Sequence, residues 1–315
     1  MKALDHADYS HSPAVTVSVV LIAAFLSACS NNSSGSSSIT PEGTSEGIAY
    51  DGYLVNALVC IDRDLDKVCD PAEPSDTTAA GGAFELNDLT DAELLWPLVL
   101  ETTNDTVDED DGSNVGAGLK LTAPAGSQAI SALSTIIQSR IETALAQGST
   151  GTLATLKQQA NLQLAQELGA GNINLTNYDP IATKTSGLAD NVTRELAAKL
   201  HIVNQILIDQ IAFLKPRAES RAPNNPRAAY GAVIKKLNAE SVKARVDISL
   251  DVFAIEDRIT ATKDQIVGVL MPADPTIAEI NLQADEDEAA EAAIRSRVND
   301  DATGGTGTGG GTGTQ

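Results

Sequence analysis

The chain has 315 residues, and 21 Lys and Arg stand against 43 Asp and Glu, for a formal net charge of −22. A field of that sign repels nucleic acid and anionic lipid and attracts divalent cations, so nucleic-acid binding is excluded. Aromatic residues make up 3% of the chain and Trp96 is the single tryptophan, so the aromatic platforms of a glycan-binding groove are missing and glycan binding is not supported.

Ala14 to Ala28 is apolar but shorter than the roughly 20 residues a helix needs to cross a bilayer. Small residues lead into Cys29 through Leu26-Ser27-Ala28, and Ser/Asn/Gly-rich chain follows, so residues 1–28 read as a secretion signal. The leader carries Lys2 beside Asp5, Asp8, His6 and His11, a weak positive region; the other reading of the stretch is a buried helix or a single-pass anchor. The run resembles the processing site of bacterial lipoproteins. That resemblance implies that Cys29 becomes the first mature residue and carries a diacylglycerol and an amide-linked acyl chain, which anchor it at about 0.8 kcal/mol per buried methylene. Ser30 stands where an Asp would favour the inner membrane, so the resemblance implies the outer membrane, at its periplasmic face or at the cell surface.

Residues 29–47 hold almost no apolar side chains and are expected to form a flexible tether. From Ile48 the pattern is one of short strands. Tyr53, Val55, Ala57 and Val59 alternate with Leu54, Asn56, Leu58 and Cys60, and the turn Ala80-Gly81-Gly82 precedes Ala83-Phe84-Glu85-Leu86. A third apolar run, Leu94 to Leu100, is interrupted by Pro97 and so is expected at an edge or a bulge. An acidic loop follows, Asp105 to Gly112.

Near Pro124 the period becomes helical. Ile130, Leu133, Ile137, Ile141 and Ala144 form one stripe, and Leu153, Leu156, Ala160, Leu164 and Leu168 form another that stops at Gly169. Leu188, Val192, Leu196, Leu200, Val203, Leu207 and Ile211 form the longest, expected to end before Pro216. Asn225-Pro226 supplies a cap and a first-turn proline ahead of Tyr230, Val233 and Leu237. Asp251 precedes Ile255, Ile259, Ile266 and Leu270, halted by Pro272, and Asp274-Pro275 opens a last, acidic helix. Each stripe needs a partner to cover it, which predicts an antiparallel bundle. The expected class is therefore α+β in two domains, a β domain over 48–125 and a helical bundle over 126–298, with a disordered Gly/Thr tail at 299–315.

The most informative local chemistry is the run from Cys60 to Pro74. Counted from Asp62, the residues Asp62, Asp64, Asp66, Asp70 and Glu73 fall at positions 1, 3, 5, 9 and 12 of an EF-hand-like loop, and the Val68 carbonyl falls at position 7. A hard cation takes about six to eight oxygens, and alternate residues of a tightly coiled chain supply them. The match departs at position 6, where Lys67 replaces the glycine of the sharp turn, and in its flanks, which are not helical. Lys67 is then either strained or part of an internal ion pair. A calcium site and a solvated acidic turn without metal are the two readings.

Once Cys29 is lipidated, Cys60 and Cys69 are the remaining thiols, and export places them where disulfides form. They are expected to pair and to strap the acidic turn, a stabilisation of about 2–3 kcal/mol. Their spacing is far from the Cys-x-x-Cys of a redox pair.

Asp51-Gly52-Tyr53-Leu54, Asn56 to Cys60, Cys69 to Pro74, Thr77-Thr78 and the glycine turn before Phe84 together resemble a module of Gram-negative surface lipoproteins. The module looks like the prealbumin-like β-sandwich of carboxypeptidase-regulatory and Cna B-type domains, whose Asp-rich turns are often taken to hold calcium. Leu121 to Pro124 and Ile130 to Thr135 resemble the helical part that follows it, with Ala132 where a proline is usual. The likeness covers about Ile48 to Leu214 and implies architecture and address, not an activity.

Past Cys29 the one histidine is His201, flanked by Leu200 and Ile202 in the long stripe and read as an exposed or helix-packing residue. No nucleophile elbow is present, and Gly116-Ala117-Gly118 lacks the strand and helix of a nucleotide loop. The acidic run Asp285 to Glu288, with Glu291, reads as a solvated helix face offset by Arg295 and Arg297, or as a second cation sink. No catalytic residue is assigned. The expected function is a non-enzymatic, calcium-stiffened binding or scaffold module at the outer membrane, serving an envelope or surface protein partner. The alternatives are a carboxylate-based envelope enzyme or polysaccharide-processing accessory, and a surface adhesin or fibre component.

Overall fold

The computed structural model describes residues 43–249 and 266–302. The expected signal, the lipidated Cys29, the tether up to residue 42, most of the helix expected after Asp251 and the tail from residue 303 lie outside them. The class is α+β: strands lead and helices follow.

Nine short strands build three sheets among the described residues. The largest is antiparallel, in the order β4 (Ser75–Thr77), β3 (Leu58–Ile61), β6 (Leu98–Glu101), β8 (Lys120–Ala123). In the second, β1 (Gly43–Ala49) lies between β5 (Ala83–Leu89) and β9 (Ala129–Ile130). The pair β2 (Leu54–Val55) and β7 (Val107–Asp108) completes the set and places a strand inside the acidic loop.

Two strand expectations are corrected. β1 begins within the stretch read as tether, because pairing and not alternation makes it a strand: it runs antiparallel to β5, with Gly47 opposite Phe84, and parallel to β9, with Ile48 opposite Ala129. A Cβ at Gly47 would collide with the Gln128 backbone, so the close approach requires glycine. β6 is internal and not an edge, because Pro97 falls one residue before it, where no ladder N–H is needed, and its carbonyl accepts the Asp62 N–H at 2.9 Å.

The helices are α1 (Ala132–Ala146), α2 (Leu153–Glu167), α3 (Pro180–Thr185), α4 (Asn191–Arg221), α5 (Pro226–Lys236), α6 (Ala239–Ser249) and α7 (Ile277–Ala302), with a further turn at 266–270. α1 packs on β8 and on α7, and α5 packs on both α4 and α7. Asn225 caps α5 as expected, through the Ala228 N–H. α7 opens two residues later than read: Thr276 and Glu279 form its capping box, while Asp274 pairs with Arg217 and Arg221.

The longest helix departs from its stripe at both ends. Leu188 precedes it and Val192 is exposed, because Asp190 caps α4 through the Thr193 N–H at 2.8 Å. At the other end Pro216 lies inside α4. An internal proline costs about 3 kcal/mol, yet Leu214 and Ala218 on either side of it are fully buried against Ala228, Ala229 and Val233 of α5. Packing on both flanks carries the helix through.

Ile130 belongs to β9, not α1. Ser131 caps α1 in a reciprocal box with Ser134, and Ser134 and Thr135 both reach back to β8: Thr135 Oγ1 accepts the Thr122 N–H at 2.8 Å, and Ser134 Oγ donates to the Thr122 carbonyl at 2.8 Å. The Ser/Thr-rich run thus stitches the first helix to the sheet. The change of period near Pro124 marks a change of secondary structure and not a gap in packing, for Ala49, Val59 and Leu121 share one buried cluster with Ile137, Leu207 and Val298. No helix of the described residues is long and apolar enough to cross a membrane.

Candidate metal centre

β3 delivers the chain directly into the acidic loop, and β4 takes it out, with Cys60 opposite Ser75. Cys60 and Cys69 are joined by a disulfide, Cα to Cα 5.6 Å, which closes the loop near its base. Two left-handed residues coil the chain between them, Leu65 at φ 65° and Lys67 at φ 64°. Leu65 is 3% exposed and plugs the loop into the core.

The coil brings the first three acids together, with Asp62 buried and Asp64 and Asp66 open to solvent. Oxygens of Asp62, Asp64 and Asp66 lie within 4.8 Å of one another. Backbone amides hold them: Asp62 Oδ2 accepts from Lys67 N at 3.2 Å, Asp64 Oδ1 from Asp66 N at 3.3 Å and Asp66 Oδ1 from Val68 N at 2.7 Å. The remaining oxygen, Asp62 Oδ1, is buried and has no hydrogen-bond partner. Asp62 itself is 2% exposed. Burial, with Glu73 as the next cause, pushes its carboxyl up to about 8.

Of the six expected ligands, Asp70 and Glu73 do not join the three-acid cluster. Glu73 is occupied within the loop, where Oε1 accepts the Arg63 N–H at 2.6 Å and Oε2 the Asp70 N–H at 3.2 Å. Val68 contributes the amide bonded to Asp66. The residues present suit a hard cation: three convergent carboxylates, one of them with an oxygen that lacks a donor, are oxygen ligands and nothing softer. The open choice at Lys67 resolves to both alternatives at once, a left-handed backbone and a buried ion pair.

That ion pair ties the loop to the helices. Lys67 Nζ lies 2.9 Å from Glu142 of α1 and 3.6 Å from Asp287 of α7. Burial works against this ammonium, but the two carboxylates outweigh it and hold its pKa above the usual lysine value. Arg295 of α7 reaches the same loop, donating to the carbonyls of Arg63 at 3.2 Å and Asp64 at 2.8 Å while stacking over Trp96. The expectation of a solvated acidic face on α7 holds for exposed Asp285 and Glu288 and for the Glu291–Arg295 pair, and is corrected for Asp287 and Glu286. Asp287 is 4% exposed, Glu291 is bound by Arg227 and Arg295, and Glu286 pairs with Lys235, because α7 lies against α1 and α5.

Glu142, Asp287 and Arg295 were not singled out as partners of the loop by sequence reasoning. A charged side chain in a helical stripe looks the same whether it faces water or a cation 75 residues away. One faint signal existed: Gly231 interrupts the α5 stripe, and a Cβ there would lie 2.8 Å from Gln283 Nε2 of α7, so a larger residue would have to displace that side chain.

The second acidic loop is built differently. Asp108 Oδ2 accepts from Gly52 N at 3.1 Å and Oδ1 from Asp110 N at 2.8 Å, and Asp110 Oδ2 accepts from Gln205 Nε2 at 3.2 Å. His201 stands against it, buried: Lys184 Nζ is 2.9 Å from Nδ1, and Nε2 is 2.6 Å from the Asp51 carbonyl. These partners require the neutral ring with its proton on Nε2. Burial, then the Lys184 charge, lowers its pKa to about 4. Next to it, Asn204 accepts from Ala132 N at 2.9 Å and donates to the Tyr50 carbonyl at 3.2 Å, a buried bridge from α4 to both β1 and α1 that no sequence motif marked.

Comparison with protein-family models, with curated proteins and with solved structures finds no match. The acidic loop and its docking onto the helices therefore carry the functional reading by themselves.

Proposed function

We propose that this chain is a non-enzymatic envelope lipoprotein, anchored to the outer membrane through Cys29, in which calcium at the Cys60–Cys69 loop stiffens a scaffold for a protein partner. The observation that carries this reading is the buried, donorless Oδ1 of Asp62, set among the oxygens of Asp64 and Asp66. Burial holds the Asp62 carboxyl in its protonated form near neutral pH, and a cation beside it would favour the ionised form by supplying positive charge. Asp62, Asp64 and Asp66 would hold the ion. Because Lys67 and Arg295 fasten the same loop to α1 and α7, ordering it also orders the junction of strands and helices. Binding to the native state alone then raises stability by mass action.

The enzyme alternative calls for two acids facing one cleft with raised pKa values. The acids raised by burial include Asp62, Asp66 and Asp108, and none of them lines the large cavity of the described residues, where Asp301 is the single carboxylate. The geometry therefore favours the scaffold.

Thermal melting of the chain with calcium, with magnesium and with chelator tests the loop. The expected result is a rise specific to calcium that disappears in Asp64→Ala; identical melts in all three remove calcium from the function. Incorporation of labelled palmitate, abolished by Cys29→Ala, tests the anchor independently.

A further inference from the structure

We infer that the cavity between α2 and the connection from β8 to β9 binds an aliphatic carboxylate, with the Lys157 ammonium as its counter-ion. The cavity has a volume of about 710 Å³, within the range of about 300–1,000 Å³ usual for small-molecule sites. Leu94, Leu95, Ile141, Leu153, Leu162 and Ile294 supply its apolar wall, drawn from the segment before β6 and from α1, α2 and α7. Leu162 is 40% exposed, so part of this wall is covered by water and not by protein.

Lys157 is the one cation in the lining, and Asp301, exposed at the end of α7, is the one carboxylate. Lys157 Nζ donates to the Ala125 carbonyl at 2.9 Å, and no carboxylate of the described residues pairs with it. The buried lysines of the described residues are matched: Lys67 by Glu142, Lys215 by Glu219 and Lys243 by Asp247. Half-buried Lys157 and Lys184 lack a carboxylate; Lys184 rests on the His201 ring, whereas Lys157 has a backbone carbonyl, and burial alone lowers the Lys157 pKa to about 8. A desolvated ammonium with hydrogen-bonding capacity to spare, beside an apolar wall, is complementary to an anionic head on an apolar body. The wall has no aromatic side chain on which a planar ligand would stack, which favours a flexible aliphatic chain over a ring system.

The test titrates the full chain with laurate, dodecanol and dodecyltrimethylammonium, each below its aggregation concentration, and reads displacement of a fluorescent fatty acid. Laurate is expected to bind about tenfold more tightly than dodecanol, the step that one charge-assisted pair supplies, with the quaternary cation weakest. Lys157→Met should bring laurate down to the level of dodecanol and leave dodecanol unchanged, and Lys157→Arg should restore the preference. Leu162→Asp should weaken laurate and dodecanol together. Circular dichroism of each variant checks folding, which Lys157→Met leaves intact because no buried acid loses its partner. The inference is overturned if none of the three binds, if all three bind alike, or if Lys157→Met keeps the preference for laurate.

Discussion

Two acidic loops lie in the β region, and they solve the same electrostatic problem in opposite ways. In the loop after β7, both oxygens of Asp108 receive backbone amides and Asp110 receives the Gln205 amide, so the acids are neutralised by dipoles that the protein supplies. In the loop after β3, Asp62 keeps one buried oxygen without a donor, and two of its neighbours are also acids. Acid density is similar in the two. Hydrogen-bond satisfaction separates a self-contained turn from a loop that keeps one buried carboxyl oxygen without a donor.

The largest expected effect tests how that loop is fastened. Lys67→Ala removes the cation nearest the buried acids Glu142 and Asp287 and leaves Arg227 3.8 Å from Asp287, which should lower stability by about 3–5 kcal/mol in urea unfolding. Lys67→Gly should lose about 1–2 kcal/mol less, because glycine removes the left-handed strain at φ 64°. Equal losses in the two variants would show that the backbone at this position is unstrained.

The second loop should respond to acid. His201 has a folded pKa of about 4 against an ordinary value of 6.5. A depressed pKa means that the unfolded chain binds the proton first, so the contribution is complete above pH 6.5 and drains away as pH falls toward 4. The lost stability should reach about 3 kcal/mol. His201→Gln should flatten that part of the pH profile whatever its effect at neutral pH; an unchanged slope would place the acid sensitivity elsewhere.

Replacing Cys60 and Cys69 together by serine should cost about 2–3 kcal/mol through the unfolded chain. The same variant should weaken the calcium response, since three carboxylates are no longer held together; melts in which the calcium shift survives intact would show that the coil around Leu65 and Lys67 is sufficient.

The smallest effect is the sharpest on the comparison itself. Asp108→Asn turns an amide donor toward a backbone donor and should lose about 1–3 kcal/mol. Asp62→Asn places its amide nitrogen where the oxygen without a donor stood and keeps an oxygen for the Lys67 N–H. In chelator it should melt no lower than the parent, and it should not respond to calcium. Equal destabilisation of the two asparagine variants would mean that both loops are already satisfied.

The fold was legible where burial follows a period. The stripe of α2, the Asn225-Pro226 opening of α5 and the glycine turn before β5 are local signals, and each appears where the sequence puts it. The loop was legible in part: the spacing of Asp62, Asp64 and Asp66 brings those three together, and the disulfide forms across them. Asp70 and Glu73 follow the same spacing and do not join; the backbone amides of Arg63 and Asp70 already hold Glu73. No periodic pattern reports such competition.

What the chain determined by itself is the local chemistry: the class α+β, the acid spacing, the cysteine pair and the starts of α2 and α5, all of which depend on neighbours a few residues apart. What only the tertiary structure decided is who meets whom over long separations. β1 became a strand because β5 and β9 flank it, α4 ran through Pro216 because α5 buries both sides, and Asp287 left the solvent because Lys67 arrived from the β region. These outcomes depend on free energies shared between distant segments, and no single segment contains both partners.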